Sequence, residues 1–159
     1  MSKTLVAYFS ASGVTAKLAK TLAQAAGGEL YEIRPAVPYT GADLNWNNKS
    51  SRSSVEMNDK GARPAIAEPA ADIAKYDTIF VGFPIWWYEA PRIIQTFLES
   101  YDFSGKTVIP FATSGGSGMG ETASILQKSC PSARVLSGKR MSASADVQEL
   151  SAWIRSLGI

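Results

Sequence analysis

Three stretches of the chain are almost wholly apolar and rich in β-branched residues: TLVAYF at residues 4–9, TIFVGF at 78–83 and TVIPFA at 107–112. With so little polar alternation, they predict central strands of a parallel sheet covered on both faces. LYEIR at residues 30–34 does alternate, and RVL at 134–136 is short, so both are predicted nearer the sheet edges. Helical spacing lies between these runs. Residues 15–26 carry Leu18, Leu22 and Ala25 on one face and stop at Gly27 and Gly28, where a left-handed residue costs little. Residues 91–98 open with Pro91 and align Ile93, Ile94, Phe97 and Leu98. A third helix is predicted over about 120–128. A last one over 147–156 is expected to bury Val147, Leu150, Trp153, Ile154 and Leu157. Strands alternating with helices imply right-handed crossovers and an α/β fold with helices on both faces of a parallel sheet.

Residues 35–69 break this rhythm. The stretch 39–63 is polar, contains NWNNKSSRSS, and shows no apolar period until residues 66–76, so it predicts a long excursion with at most a weak helix. Trp46 is costly to leave in water. Loops of this length in compact domains are more often functional or disordered than neutral, and a binding lid is one expectation.

Composition narrows the chemistry. A chain of 159 residues, 45% of them hydrophobic, is long enough to bury one good core, and a single domain is expected over residues 1–159. A formal net charge of +2 is too slight and too dispersed for a nucleic-acid partner. No apolar stretch nears the roughly 20 residues needed to span a bilayer, and the N-terminus enters a strand without a signal pattern. A cytoplasmic protein with no membrane partner is expected. There is no histidine and one cysteine, Cys130, which excludes a Ser/His/Asp triad, a Cys/His dyad and a zinc site; no metal is expected. Cys130, just before Pro131, reads as a small buried hydrophobe. Any demanding chemistry is therefore expected from a bound cofactor.

Three loops carry candidate chemistry. In SASGVT a turn follows the first strand and feeds a helix, leaving backbone N–H groups unpaired at the positive end of the helix dipole. Ser10, Ser12 and Thr15 add hydroxyl donors, and Gly13 permits a tight turn and close approach to an anion. The nucleotide loop GxxxxGK[ST] and the dinucleotide fingerprint GxGxxG are both missing. Alone, the turn is equally compatible with a well-capped helix. The second loop, GFPIWWYEAP at residues 82–91, sets Ile85, Trp86, Trp87 and Tyr88 in four successive positions, suited to stacking on a flat aromatic ligand; the alternative is partial core packing. The third, TSGGSGMGET at 113–122, offers glycine-rich backbone and the hydroxyls of Thr113, Ser114 and Ser117. In an open parallel sheet all three emerge at one edge, beside the topological switch point where ligands bind.

SxSGxTxxxA at residues 10–19, GFPIWWYEAP with its trailing Phe97 and Leu98, and FATSGGSG at 111–118 resemble the flavodoxin family over nearly the whole chain. The resemblance is to its bacterial branch with a polar insertion after the second strand. It implies a three-layer sandwich with a five-stranded parallel sheet of order 2-1-3-4-5, non-covalent FMN and low-potential single-electron transfer with redox partner proteins. It also implies an FMN phosphate on Ser10, Ser12, Gly13, Val14 and Thr15. The isoalloxazine would then lie between Pro84, Ile85, Trp86, Trp87 and Tyr88 on one side and Thr113, Ser114, Gly115, Gly116, Ser117 and Gly118 on the other. A sequence pI near 8.7 departs from the strongly acidic surface of carrier flavodoxins. An NAD(P)H-dependent FMN quinone reductase-like enzyme thus stays open beside the carrier, as does a non-redox interaction module.

Overall fold

A computed structural model describes residues 3–11, 13–67, 72–113 and 119–158. The three apolar runs form β1 (Thr4–Tyr8), β3 (Thr78–Pro84) and β4 (Thr107–Thr113), with β2 (Glu29–Glu32) on the far side of β1. All pairings are parallel, and the order is β2-β1-β3-β4-β5, with β5 at Arg134–Val135. The helices are α1 (Val14–Ala26), α2 (Arg52–Asn58), α3 (Arg92–Ser100), α4 (Thr122–Ser129) and α5 (Val147–Ser156).

Strand side chains alternate between two cores, because successive Cβ atoms leave opposite faces of a sheet. Val6, Tyr8, Phe80, Ile109 and Phe111 pack against Leu18 and Leu22 of α1 and Leu150 and Trp153 of α5. Leu5, Ala7, Ile79, Val81, Phe83 and Val108 pack against Ile93, Ile94, Phe97 and Leu98 of α3 and Leu126 of α4. The result is the layered arrangement expected from the sequence, with one correction. Of the residues expected to be buried on α5, Leu150 and Trp153 are, Ile154 and Leu157 are half-buried against the same core, and Val147 in the first turn is exposed. Helix bounds move by one or two residues. Pro91 is the extended cap before α3, and α4 begins at Thr122.

The fifth position of the sheet is split. A second short strand, β6 (Lys139–Arg140), also pairs with β4 in parallel. Val108 lies opposite Val135 while Phe111 lies opposite Lys139, so the edge carries one residue more than β4 over the same span. The cause is Pro110: it has no N–H to give the edge, and a proline is accommodated in a sheet only where pairing is interrupted. The extra residue is absorbed at Gly138, whose φ is +75° and whose Cα lies so close to β4 that a Cβ would sit 2.3 Å from the Pro110 carbonyl oxygen.

The excursion after β2 is closed at its base by an antiparallel bridge between Pro35 and Ile66, with Ala36 N–H donating to Ala65 O and Ala67 N–H to Arg34 O, both at 2.8 Å. Within it the asparagines close successive turns. Asn47 N–H donates to Asn45 Oδ1 (3.1 Å) and Ser50 N–H to Asn48 Oδ1 (2.9 Å), before Ser51 caps α2. Side-chain amides here replace the ladder hydrogen bonds that the segment lacks.

Gly138→Ala is expected to lose about 1–3 kcal/mol to overpacking in addition to the left-handed penalty. Gly105→Ala, also at φ +75° but with open space around its Cα, should lose only that penalty of about 1–2 kcal/mol. Urea unfolding of the two variants measures the difference; equal losses would contradict the close approach at Pro110.

Candidate functional site

The β1–α1 turn is closed by one hydroxyl. Ser10 Oγ accepts from Gly13 N–H (3.0 Å) and Ala16 N–H (3.2 Å), drawing the chain into the left-handed φ of +92° at Gly13. Because Ser10 acts as acceptor for the backbone, its own proton stays available to a guest. Lys17 N–H donates to Gly13 O, while the N–H groups of Val14 and Thr15 have no partner among the described residues. A Cβ on Gly13 would meet nothing within 4 Å among the described residues other than its chain neighbours, so these leave the space before the helix open. Two free amides, an aligned helix dipole and an unobstructed approach fit a phosphate.

Thr15 Oγ1 lies 2.8 Å from Thr113 Oγ1, with both residues buried; this bond joins the start of α1 to the end of β4. Ile85 N–H donates to Thr113 O at 2.9 Å and ties the third strand's loop to the same point. Phe9 and Trp86 meet edge to face at 5.9 Å, which ties that loop to the end of β1. The structure therefore brings Ser10, Gly13, Val14, Thr15, Pro84, Ile85, Trp86, Trp87, Tyr88 and Thr113 to one edge of the sheet. Ser12, Ser114, Gly115, Gly116, Ser117 and Gly118 lie outside the described residues.

The four large residues after β3 divide two and two. Ile85 and Trp86 are half-buried against the core, with the Trp86 ring edge-on to Phe9 and to Tyr39 (5.5 Å). Trp87 and Tyr88 form the tip of a two-residue turn in which Trp86 N–H donates to Glu89 O and Glu89 N–H to Trp86 O. Both tip residues are left-handed, at φ 50° and 65°, the geometry that favours Asn-Gly in such turns. Each costs about 1–3 kcal/mol for a side chain, and such strain persists where surrounding contacts over-determine it, commonly at ligand clamps. Trp87 and Tyr88 are both exposed, and their N–H groups have no partner among the described residues. Tyr88 O is held by Thr122 Oγ1 at 3.2 Å.

Sequence patterning did not single out Arg92. The residue is 1% exposed, and its guanidinium donates to Glu89 Oε1 at 2.9 Å and to Met57 O at 2.8 Å and reaches Glu56 O and Asp59 O at 3.3 Å. One cation thus gathers the carbonyls at the C-terminal end of α2, Met57 O among them, and ties them to the aromatic turn. A signal was present: a positive residue in the first turn of a helix opposes the dipole and needs a partner elsewhere. Arg52 adds a second fastening. Its guanidinium lies 3.8 Å from the Tyr39 ring centroid and pairs with Glu56 at 2.9 Å, and Tyr39 O–H donates to the same carboxylate. Burial, then that carboxylate, holds the Tyr39 hydroxyl well above its usual pKa, so it stays protonated as a donor. Cys130 is buried, and burial pushes its thiol up to about 11, consistent with a packing role. Among the described residues there is no cluster of acidic or cysteine side chains able to hold a metal, and no helix is long and apolar enough to cross a membrane.

A doubly wound sheet with an open helix start and an aromatic turn at its carboxyl edge defines a class of mononucleotide-binding folds. A family model described as flavodoxin matches residues 3–157, and the chain belongs to that family. Among solved structures, it is similar to a provisionally described flavoprotein from Bacteroides eggerthii, at 52% identity over 100% of this chain and 99% of that one, with a TM-score of 0.94. A counterpart from Bacteroides uniformis is also 52% identical, over 97% and 98%, with a TM-score of 0.86. A flavoprotein from Lactobacillus acidophilus, solved in complex with FMN, shares the fold at 23% identity over 97% and 99%, with a TM-score of 0.71. No curated protein matches.

Two outcomes are expected. Arg92→Met should destabilise the fold by about 3–5 kcal/mol, since it leaves Glu89 and the α2 carbonyls without their cation; a thermal melt within a degree of the parent would contradict this. The double change Trp87→Asn with Tyr88→Gly should raise stability by about 1–2 kcal/mol by relieving the left-handed strain, and calorimetry would read it.

Proposed function

We propose that this chain binds FMN without a covalent link and carries electrons between redox partner proteins as a flavodoxin. The observation that carries this reading is the pair of free amides at Val14 and Thr15, presented by the Ser10-closed turn at the positive end of α1. The Ser10 hydroxyl, and the Ser12 hydroxyl by sequence, would join them on the phosphate, and Gly13 would allow its approach. The turn residues Pro84, Ile85, Trp86, Trp87 and Tyr88 would flank the ring from the β3 side, and residues 113–118 from the β4 side. FMN supplies the redox chemistry. What the chain contributes is binding, orientation and exclusion of water, and no side-chain base is required of it.

The Trp86 and Glu89 peptide groups are spent on each other, so the Trp87 and Tyr88 N–H groups are the donors the turn offers to the polar edge of a ring. The buried Arg92–Glu89 pair fixes the turn from behind, which keeps those donors in place as the charge of the guest changes. FMN bound to the Lactobacillus acidophilus flavoprotein and membership of the flavodoxin family support this reading.

Val14→Asp separates binding from folding. Val14 is exposed at the first position of α1, where a carboxylate favours the helix by about 0.3–1 kcal/mol but repels a phosphate. FMN affinity should fall about tenfold or more while the melting temperature holds or rises. Equilibrium dialysis and a thermal melt test this together, and unchanged affinity would overturn the phosphate assignment.

A further inference from the structure

Trp46 is 69% exposed, yet its backbone is not loose. It sits inside the turn from Asn45 to Asn48, closed by Asn48 N–H donating to Asn45 O at 3.1 Å, with Asn47 N–H held by the Asn45 side chain. Ser53 N–H donates to Asp43 O at 3.0 Å, and Ser54 Oγ donates to Asn48 O at 2.9 Å; together they fix this turn to α2. Through Arg92, α2 is fixed in turn to the strained loop that bears Trp87, itself 44% exposed. An ordered backbone thus holds two indoles out of the core, at a hydrophobic cost that simple folding does not explain.

The two indoles line one cleft of about 510 Å³, together with Asn47, Lys49, Ser54 and Asn58. That volume falls in the range of small-molecule sites. Its described walls carry two aromatic surfaces, the Asn47 and Asn58 side-chain amides able to meet a polar edge, and the Lys49 ammonium, while the Ser54 hydroxyl is buried and spent on Asn48 O. Among the described residues that line it, none is acidic. The Asn47 and Asn58 amides and the Lys49 ammonium have no protein partner among the described residues.

We propose that this cleft is a second ligand site, distinct from the helix-start phosphate site, which takes a planar aromatic small molecule bearing an anionic group. Stacking against Trp46 and Trp87 selects the ring, and Lys49 selects the charge. None of its six described lining residues belongs to the β1–α1 turn, so a ligand here leaves the amides of Val14 and Thr15 to a separate anion. Trp87 is shared with the turn proposed to flank FMN, so the separateness of the two ligands rests on that reading.

Naphthalene-2-sulfonate is a suitable probe, with cyclohexanesulfonate as the equally charged control lacking an aromatic face. Calorimetric titration into protein preincubated with FMN should show one naphthalene-2-sulfonate per chain and no measurable cyclohexanesulfonate. Trp46→Ala should weaken the binding at least about tenfold, and Lys49→Gln about threefold, with that smaller loss disappearing at high salt. Val55→Ala, an exposed change on α2 outside the cleft, should leave it unaltered. The proposal is overturned if Trp46→Ala binds as the parent does, if both sulfonates bind equally, or if naphthalene-2-sulfonate displaces FMN. The same titration without FMN keeps the two readings apart: failure to take up FMN counts against the flavodoxin function alone, whereas an unresponsive Trp46→Ala counts against the cleft alone.

Discussion

The double hydrogen bond accepted by Ser10 Oγ from Gly13 and Ala16 is the constraint from which the site follows. A helix that starts directly after a parallel strand has four N–H groups without intrahelical partners, and most sequences satisfy them with a capping side chain close to the helix. Here the hydroxyl lies further back, and it takes one amide before the helix and one inside it. The two between them, at Val14 and Thr15, have no partner among the described residues. The left-handed Gly13 is what lets a single oxygen span that distance.

Parallel pairing does the rest of the assembly. Since β1, β3 and β4 run the same way, their carboxyl ends open onto a common edge, and three short contacts there fix the loops to one another: Thr15 to Thr113, Ile85 to Thr113, and Phe9 to Trp86. The excursion is held against this edge by buried charge. Arg92 would oppose the dipole of its own helix, and is tolerated because Glu89 and the carbonyls of α2 surround it. The same clamp over-determines the Trp87–Tyr88 turn, so that two left-handed aromatic residues persist there.

The central strands and α1 and α3 were legible in the sequence because each obeys a local rule: continuous β-branched runs for strands buried on both faces, and apolar residues at helical spacing for the helices. Features set by a partner across space were not. Pro110 reads as part of an apolar strand, but its missing N–H acts on the neighbouring chain and splits the edge into β5 and β6. NWNNKSSRSS reads as a polar loop because its order comes from asparagine side chains closing turns, which leaves no hydropathy signal. Trp86 and Trp87 look alike in sequence, yet the hairpin turns one inward onto Phe9 and Tyr39 and the other outward. Likewise Val147 has the spacing of a core residue, but it begins α5 in a first turn that is exposed up to Leu150.

Whether the amides at the start of α1 grip a phosphate is read from the ratio of dissociation constants for riboflavin and FMN under identical salt. The two ligands share the ring and differ in the phosphate. FMN is expected to bind at least about a hundredfold more tightly, as two charge-assisted hydrogen bonds would give, and added inorganic phosphate to weaken FMN but not riboflavin. Equal affinities for the two would contradict it.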